Sequence, residues 1–388
     1  MHSKTNMPAP SAPLIAPDRF TGSNITQYLY TGAHAPALKR VTEMLAWGHR
    51  AQSDGPAGRL ALFDAEERAR ATVGRLVGRP AADVGFLGDA STAWNAVANG
   101  LAWKPGDNVV VNTFEHPAGV YPWLRLKPRG LEVRVVEHDA DWAITPDAVE
   151  RACDARTRAL VISQVGYVTG FRHDLRALAE VADSVGAPLL VDSSHALGVV
   201  PIDVADCAIV ISASYKWLLG PYGVGIVVWN RDRLRDFEPG AVGWRSTTDI
   251  FTPDRFERHS IAPDARRFQL GAPSLAGIAA LGTAVETLLE LPPGAAERHA
   301  LALSGSAITA LRDLGLDVVT PVDPERRAGN VAFLHPNGEQ VADGLAALGV
   351  PVWGGDGRVR ASFHVMNDET AVAALRSALE SVLAGAPA

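Results

Sequence analysis

Lys216 sits in I-S-A-S-Y-K-W-L-L-G-P-Y-G-V-G (residues 211–225), and Asp192 closes P-L-L-V-D (residues 188–192) earlier in the chain. The sequence has five lysines. Lys4 lies in a Pro-rich tail, and Lys104 and Lys127 precede prolines in K-P-G-D and K-P-R-G turns. Lys216 is bracketed by apolar runs on both sides. Burial disfavours the charged form of an amine, so a lysine held in such a place loses its proton more easily. A neutral amine in a protein interior can form a Schiff base with an aldehyde cofactor. A lysine at a strand end can equally snorkel to water. The acid at Asp192 tips the balance toward chemistry.

Those two residues need strands to carry them. Short β-branched runs recur at 108–112, 133–137, 159–163, 188–192, 207–212 and 225–229. Helical patterns over 64–77, 91–101 and 174–185 alternate with them, with Asp174 as an N-cap and Gly186 as a stop. Strands of five or six residues, apolar throughout, predict a mostly parallel sheet buried on both faces. In such a sheet ligands gather at the carboxyl ends of the strands. Asp192 ends one strand and Lys216 follows another, so both can face one pocket. The acid and amine suit pyridoxal phosphate: the lysine holds the aldehyde, and the carboxylate keeps the pyridine nitrogen protonated. Ser91 and Thr92 open the helix at 91–101, and a helix N-terminus is a natural phosphate cradle.

Beyond residue 262 the texture changes. Helices are expected near 274–291 and 295–314, then a strand near 329–334, a helix near 338–348, and a strand and helix over 359–382. The expected organisation is therefore a flexible arm at 1–17, a segment at 18–40 packing on the smaller domain, a large α/β domain at 41–262 and a smaller α+β domain at 263–388. The chain has 388 residues, 47% of them hydrophobic, enough for a substantial core. A net charge of −7, with no basic stripe, argues against nucleic acid as a partner. Two cysteines, Cys153 and Cys207, make neither a disulfide framework nor a metal cluster. The N-terminus has no signal-like apolar region and no apolar run reaches membrane-spanning length, so a cytoplasmic protein without membrane contact is expected.

Seven motifs in order resemble the class V aminotransferase family, which includes cysteine desulfurases, isopenicillin-N-epimerase-like proteins and kynureninases. They are Y-L-Y-T-G-A (28–33), A-S-T-A-W-N (90–95), E-H-P-A-G-V-Y-P-W (115–123), V-D-S-S-H-A-L-G (191–198), Y-K-W-L-L-G-P-Y-G-V-G (215–225), R-F-Q-L-G-A-P-S (267–274) and V-R-A-S-F-H (359–364). The resemblance implies the aspartate-aminotransferase-like fold (fold type I), with a seven-stranded sheet, and pyridoxal 5'-phosphate as cofactor. It implies that Lys216 carries the cofactor covalently and moves the Cα proton, that Asp192 pairs with the ring nitrogen, and that His116 stacks on the ring. Ala90, Ser91, Thr92, Ser214 and Tyr215 would hold the phosphate, and His195 would contact the cofactor. Arg360 would bind the substrate carboxylate, with Tyr167 and His34 completing the substrate contacts. A homodimer with shared active sites is implied, the segment 267–274 crossing between subunits. Several positions depart from the pattern. His195 stands where desulfurases have Gln, Tyr167 where an Asn is common, Ala272 where a Thr reaches across the dimer, and Ala213 in a phosphate-binding Ser slot that Ser212 and Ser214 flank.

A desulfurase needs a nucleophilic Cys on the loop before V-R-A-S. Here that stretch, 348–358, is L-G-V-P-V-W-G-G-D-G-R and has none. Elimination of a thiolate from the β-carbon of a cysteine S-conjugate needs no protein thiol, so the expected activity is a lyase of that kind. Transamination, epimerisation and decarboxylation are alternatives on the same site, and desulfuration ranks below them.

Overall fold

The computed structural model describes residues 10–385. Its larger layer is a seven-stranded sheet of β1 (Val84–Leu87), β2 (Asn108–Asn112), β3 (Glu132–Val136), β4 (Thr157–Ser163), β5 (Leu189–Asp192), β6 (Ile209–Ala213) and β7 (Gly225–Trp229), in the order β1-β7-β6-β5-β4-β2-β3. The strands from β3 to β6 are parallel, and β7 runs antiparallel to both β6 and β1. Every residue of β5, β6 and β7 is buried. Alternate side chains feed two cores: Val191, Val210 and Val228 on one face, Leu190, Ile209 and Val227 on the other. A strand apolar at every position is buried from both sides, which is why the sequence shows runs rather than alternation.

Helices α1 (Lys39–Ala51), α2 (Gly55–Val77), α3 (Ala90–Gly100), α4 (Pro117–Leu124), α5 (Pro146–Ala152) and α6 (Leu175–Ser184) accompany this sheet. The Asp174 side chain accepts from Ala177 N–H and caps α6. A second, three-stranded antiparallel sheet is formed by β8 (Asn330–Leu334), β9 (Trp353–Gly355) and β10 (Arg358–Ser362), with β10 central. Helices α8 (Ala295–Asp313), α9 (Gly338–Ala347) and α10 (Glu369–Gly385) share its core. The helix α7 (Leu275–Leu289), expected in the smaller domain, packs instead against α1 and α2. Small residues allow this close approach: a Cβ on Gly282 would lie 2.9 Å from Ala69 Cβ of α2.

The N-terminal segment is tied to the smaller sheet. Tyr30 bridges Ser362, and Leu29 O accepts from Ser362 N–H at 2.9 Å. Of the arm expected at 1–17, the first nine residues lie outside the described ones. Within the rest, Leu14 and Ile15 N–H both donate to Val365 O, and Ile15 is buried. The apolar pair Leu14-Ile15 gives the arm's end a burial energy that a Pro- and Ala-rich composition alone does not suggest. Among the described residues no helix is long and apolar enough to cross a membrane.

Candidate active site

β5 ends at Asp192 and β6 at Ala213, so the loops that follow carry their polar side chains to the carboxyl edge of the sheet. A cavity there is lined by Asp192, His195, Lys216, His116, Tyr167 and Tyr215, and by the start of α3 at Ala90 and Ser91. It adjoins a second cavity of about 340 Å³ that adds Gly32, Trp353, Asp356 and Arg360 from the smaller sheet and the N-terminal segment. The site is thus built where the two sheets meet. A larger groove of about 700 Å³ lies along α6 and residues 201–206; there Asp174 and Asp203 cap helices, Arg172 pairs with Glu297, and no amine lines it.

Lys216 is almost wholly buried, and its Nζ lies 3.0 Å from His195 Nε2. Burial, reinforced by the Arg360 charge and opposed by Asp192, pushes its pKa down to about 8. Burial and the neighbouring Lys216 charge hold His195 well below the usual histidine range. The Asp192 carboxylate accepts from Trp94 Nε1–H at 3.2 Å and from Ser194 N–H at 2.8 Å. Two donors hold it rigidly while it still borders the cavity, which leaves acceptor capacity for one more N–H.

His116 caps α4, its Nδ1 accepting from Ala118 N–H at 3.2 Å, and its ring meets Tyr167 edge-on at 5.3 Å. Burial, then the Lys216 charge, lower its pKa, so the ring is a neutral platform. Arg360 is 3% exposed, its Nη1 donates to Tyr167 O at 2.6 Å, and its Nε has no partner. Among the described residues no carboxylate pairs with it. A guanidinium's fork geometry matches a carboxylate, and here it is buried beside a cavity with an unmet donor. Burial and the adjacent Arg358 lower its pKa to about 9, still cationic at neutral pH.

These placements fit a pyridoxal phosphate: an amine, a fixed carboxylate and the first-turn amides of α3 border one cavity. Three expected residues are not brought there. Thr92 is turned back on its own helix, its N–H and hydroxyl both bonded to the Asp89 cap at 2.7 and 3.2 Å. Ser214 donates to Pro221 O and fastens the turn after Lys216. His34 joins an aromatic group, 5.0 Å from Tyr30 and 6.1 Å from Tyr222, and does not line the cavity. Tyr215 does line it, stacked on Tyr222 at 4.2 Å. The sequence reading missed Trp94 and Ser194, which fix Asp192, and Asn330, which reaches His195 from β8 at 3.1 Å. Trp94 was visible inside A-S-T-A-W-N. Asn330 carried no local signal, because only the meeting of the two sheets gives it a partner.

Comparison with known proteins agrees with this architecture. A probable cysteine desulfurase of Methanothermobacter thermautotrophicus is 28% identical over 61% of the chain, and the chain spans 59% of that relative's length. One from Pyrococcus abyssi is 24% identical over 82% of the chain and 83% of its own length. An apo cysteine desulfurase from Thermococcus onnurineus NA1 superposes with a TM-score of 0.86 at 23% identity, over 97% of this chain and all (100%) of that one. A cystine C-S lyase, solved with its reaction product cysteine persulfide, gives 0.82 at 21% identity over 91% of this chain and 97% of its own. The family model "Aminotransferase class-V" matches residues 37–375, and the chain belongs to that family.

Proposed function

We propose that this chain is a pyridoxal-phosphate-dependent lyase that cleaves a cysteine S-conjugate by β-elimination, with no persulfide on the protein. The observation that carries the choice is where the two cysteines lie. Cys207 precedes β6 and Cys153 precedes β4, so both sit at the amino edge of the sheet, opposite Lys216. The run from Cys207 to the end of β6 at Ala213, about 20 Å of extended chain, separates Cys207 from the site. Burial also pushes the Cys207 thiol up to about 12, which makes it a poor nucleophile.

When bound, the cofactor supplies an electron sink for the carbanion formed at the substrate Cα. Arg360 would hold the substrate carboxylate, fixing which face of Cα meets Lys216. Lys216 Nζ would take the Cα proton, and its lowered pKa suits that task near neutral pH. His116 would cover the ring, Ala90 and Ser91 would hold the phosphate, and Asp192 would keep the ring nitrogen protonated. The electron pair of the breaking Cβ–S bond leaves with sulfur as a thiolate. Hydrolysis of the remaining fragment yields pyruvate and ammonia. The enzyme is read as cytoplasmic and homodimeric, the exposed Tyr222, Trp244 and Phe251 supplying apolar surface for a second copy.

Cysteine desulfuration is the second reading, favoured by the names of the curated relatives. Purified protein is assayed with L-cysteine and with S-substituted cysteines, following pyruvate, ammonia and alanine, in the wild type and in Cys153→Ser/Cys207→Ser. Pyruvate from conjugates, retained in the double variant, supports the lyase. Alanine from cysteine, with a protein persulfide and loss of activity in the variant, establishes the desulfurase instead.

A further inference from the structure

His195 is the only side chain hydrogen-bonded to the Lys216 amine among the described residues, and its far nitrogen is held from the other sheet. Asn330 Nδ2 lies 3.1 Å from His195 Nδ1, and Ser362 Oγ donates to Asn330 Oδ1 at 2.7 Å. Asn330 and Ser362 are register partners of β8 and β10, both buried. Gly170, at φ +76°, lets the 164–173 loop close on Asn330: a Cβ at 170 would lie 2.5 Å from Asn330 O. The four polar groups therefore form one buried chain running Ser362, Asn330, His195, Lys216.

Such a chain can run in two directions. In one, each group donates toward the lysine: the Ser362 hydroxyl to the Asn330 carbonyl, the Asn330 amide to His195 Nδ1, and His195 Nε2–H to an uncharged Nζ. In the other, a lysine ammonium donates to Nε2, Nδ1–H donates to the Asn330 carbonyl, and the amide donates to Ser362 Oγ. The amide as placed, Oδ1 on Ser362 and Nδ2 on His195, matches the first direction, and the charges around Lys216 favour it. At one end, a Cβ at Gly32 would lie 2.6 Å from Ser362 Oγ and 2.9 Å from Arg360 Nη2, so both groups border that glycine. At the other end the groups facing Lys216 are Asp192, Arg360, His116, His195 and the Tyr215 ring. One carboxylate, already met by two donors, stands against a buried guanidinium, which disfavours a second cation.

We propose that Asn330, anchored by Ser362, is a positioning residue that favours the His195 proton on Nε2 and thereby favours the unprotonated, accepting form of the Lys216 amine. The smaller sheet so readies the nucleophile of the larger one. The inference rests on Lys216 being the reactive amine, but its test uses no turnover, so it can fail while the proposed reaction stands.

The test uses the full-length chain freed of any bound cofactor. Histidine-ring ¹⁵N spectra, assigned with His195→Gln, report which nitrogen carries the proton. Acetylation of Lys216 by acetic anhydride, read by mass spectrometry across pH, reports the amine's own titration. In the wild type a labelling midpoint near pH 8 is expected, with the ring proton on Nε2 at pH values above it, where the amine is uncharged. Asn330→Asp replaces the amide donor by an acceptor. It should draw the proton to Nδ1, leave Nε2 to accept from an ammonium, and raise the midpoint by about one unit, roughly tenfold slower labelling at pH 7. Asn330→Ala, which removes packing without reversing the chain, should shift the midpoint less. A wild-type proton on Nδ1 at pH above the labelling midpoint, or an unmoved midpoint and ring proton in Asn330→Asp, overturns the proposal. Should Asn330→Asp not fold, the wild-type ring spectrum above the labelling midpoint decides alone: Nε2–H sustains the proposal and Nδ1–H rejects it.

Discussion

At the scale of single residues, the site depends on two buried cations whose surroundings treat them differently. Lys216 is desolvated toward neutrality, whereas Arg360 stays charged and lacks a protein carboxylate. Lys216→Ala should abolish turnover and the covalent cofactor linkage together, since none of the other four lysines, Lys4, Lys39, Lys104 and Lys127, falls in a motif of the site. Mass spectrometry after borohydride reduction checks this, and a retained covalent adduct on another lysine would refute it. Arg360→Ala removes a buried bidentate donor. The expected loss is about 3 kcal/mol, on the order of a hundredfold in kcat/KM, carried mostly by KM. An unchanged KM for amino-acid substrates would remove Arg360 from carboxylate binding. The site's acid was legible in the sequence because V-D closes a strand, and its amine because apolar runs flank it. Trp94, Ser194 and Asn330 were not, because a second partner's value depends on distances across the fold and not on neighbours in the chain.

At the scale of elements, the buried strands β4 to β7 announced themselves as short apolar runs, and the caps at Asp174 and Gly186 fixed the helix that feeds β5. The sequence reading left out β1, a four-residue strand, and β9, three residues containing two glycines. Pieces that short present no period to read; pairing with β7 and β10 makes them strands. The helix expected from 64 begins earlier: α2 starts at Gly55, with Pro56 in its first turn. The placement of α7 was illegible for another reason. Its surface is apolar nearly all round, and only the small residues Gly48, Ala69, Ala276 and Gly282 reveal which helices it crosses. Gly282→Val tests that crossing. The added branches meet Ala69 backbone and side chain in α2, and overpacking should cost on the order of 2 kcal/mol. Denaturant unfolding should show the loss with kcat unchanged. Equal or greater stability in the variant would contradict the close contact.

At the scale of the whole molecule, two properties follow from how the parts combine. Phe251 and Phe256, 88% and 86% exposed, and half-exposed Trp244 lie in one segment between β7 and α7, and Tyr222 beside the site is 63% exposed. Exposed aromatic surface of this kind is costly in water, so sedimentation should find a dimer at assay concentrations, and Phe251→Asp/Phe256→Asp should shift it toward monomer. A fully active monomeric wild type would contradict the shared-site reading. The second property is the pH dependence of stability, and Glu115 dominates one window of it. Its carboxyl accepts from Ser163 N–H and Asn112 Nδ2–H at 2.6 and 2.7 Å, and lies 2.6 Å from Ser163 Oγ. Burial, with the Asp192 charge adding, raises its pKa from 4.5 to about 8. The folded chain therefore holds a proton that the unfolded chain releases above pH 4.5, so this stabilisation is complete below 4.5 and is lost as pH rises through about 8. The buried His173 and His364, pushed down to about 4, act oppositely, but only below the ordinary histidine value of 6.5. Lys216, lowered from 10.5 to about 8, adds stability with rising pH only above about 8. Between about 6.5 and 8 the Glu115 slope acts unopposed by these groups. The thermal midpoint of the wild type should fall across that interval. Glu115→Gln keeps a donor toward Ser163 Oγ without an ionisable proton, so its midpoint should stay level there. Parallel pH profiles for the two proteins would show that Glu115 enters the folded state already ionised.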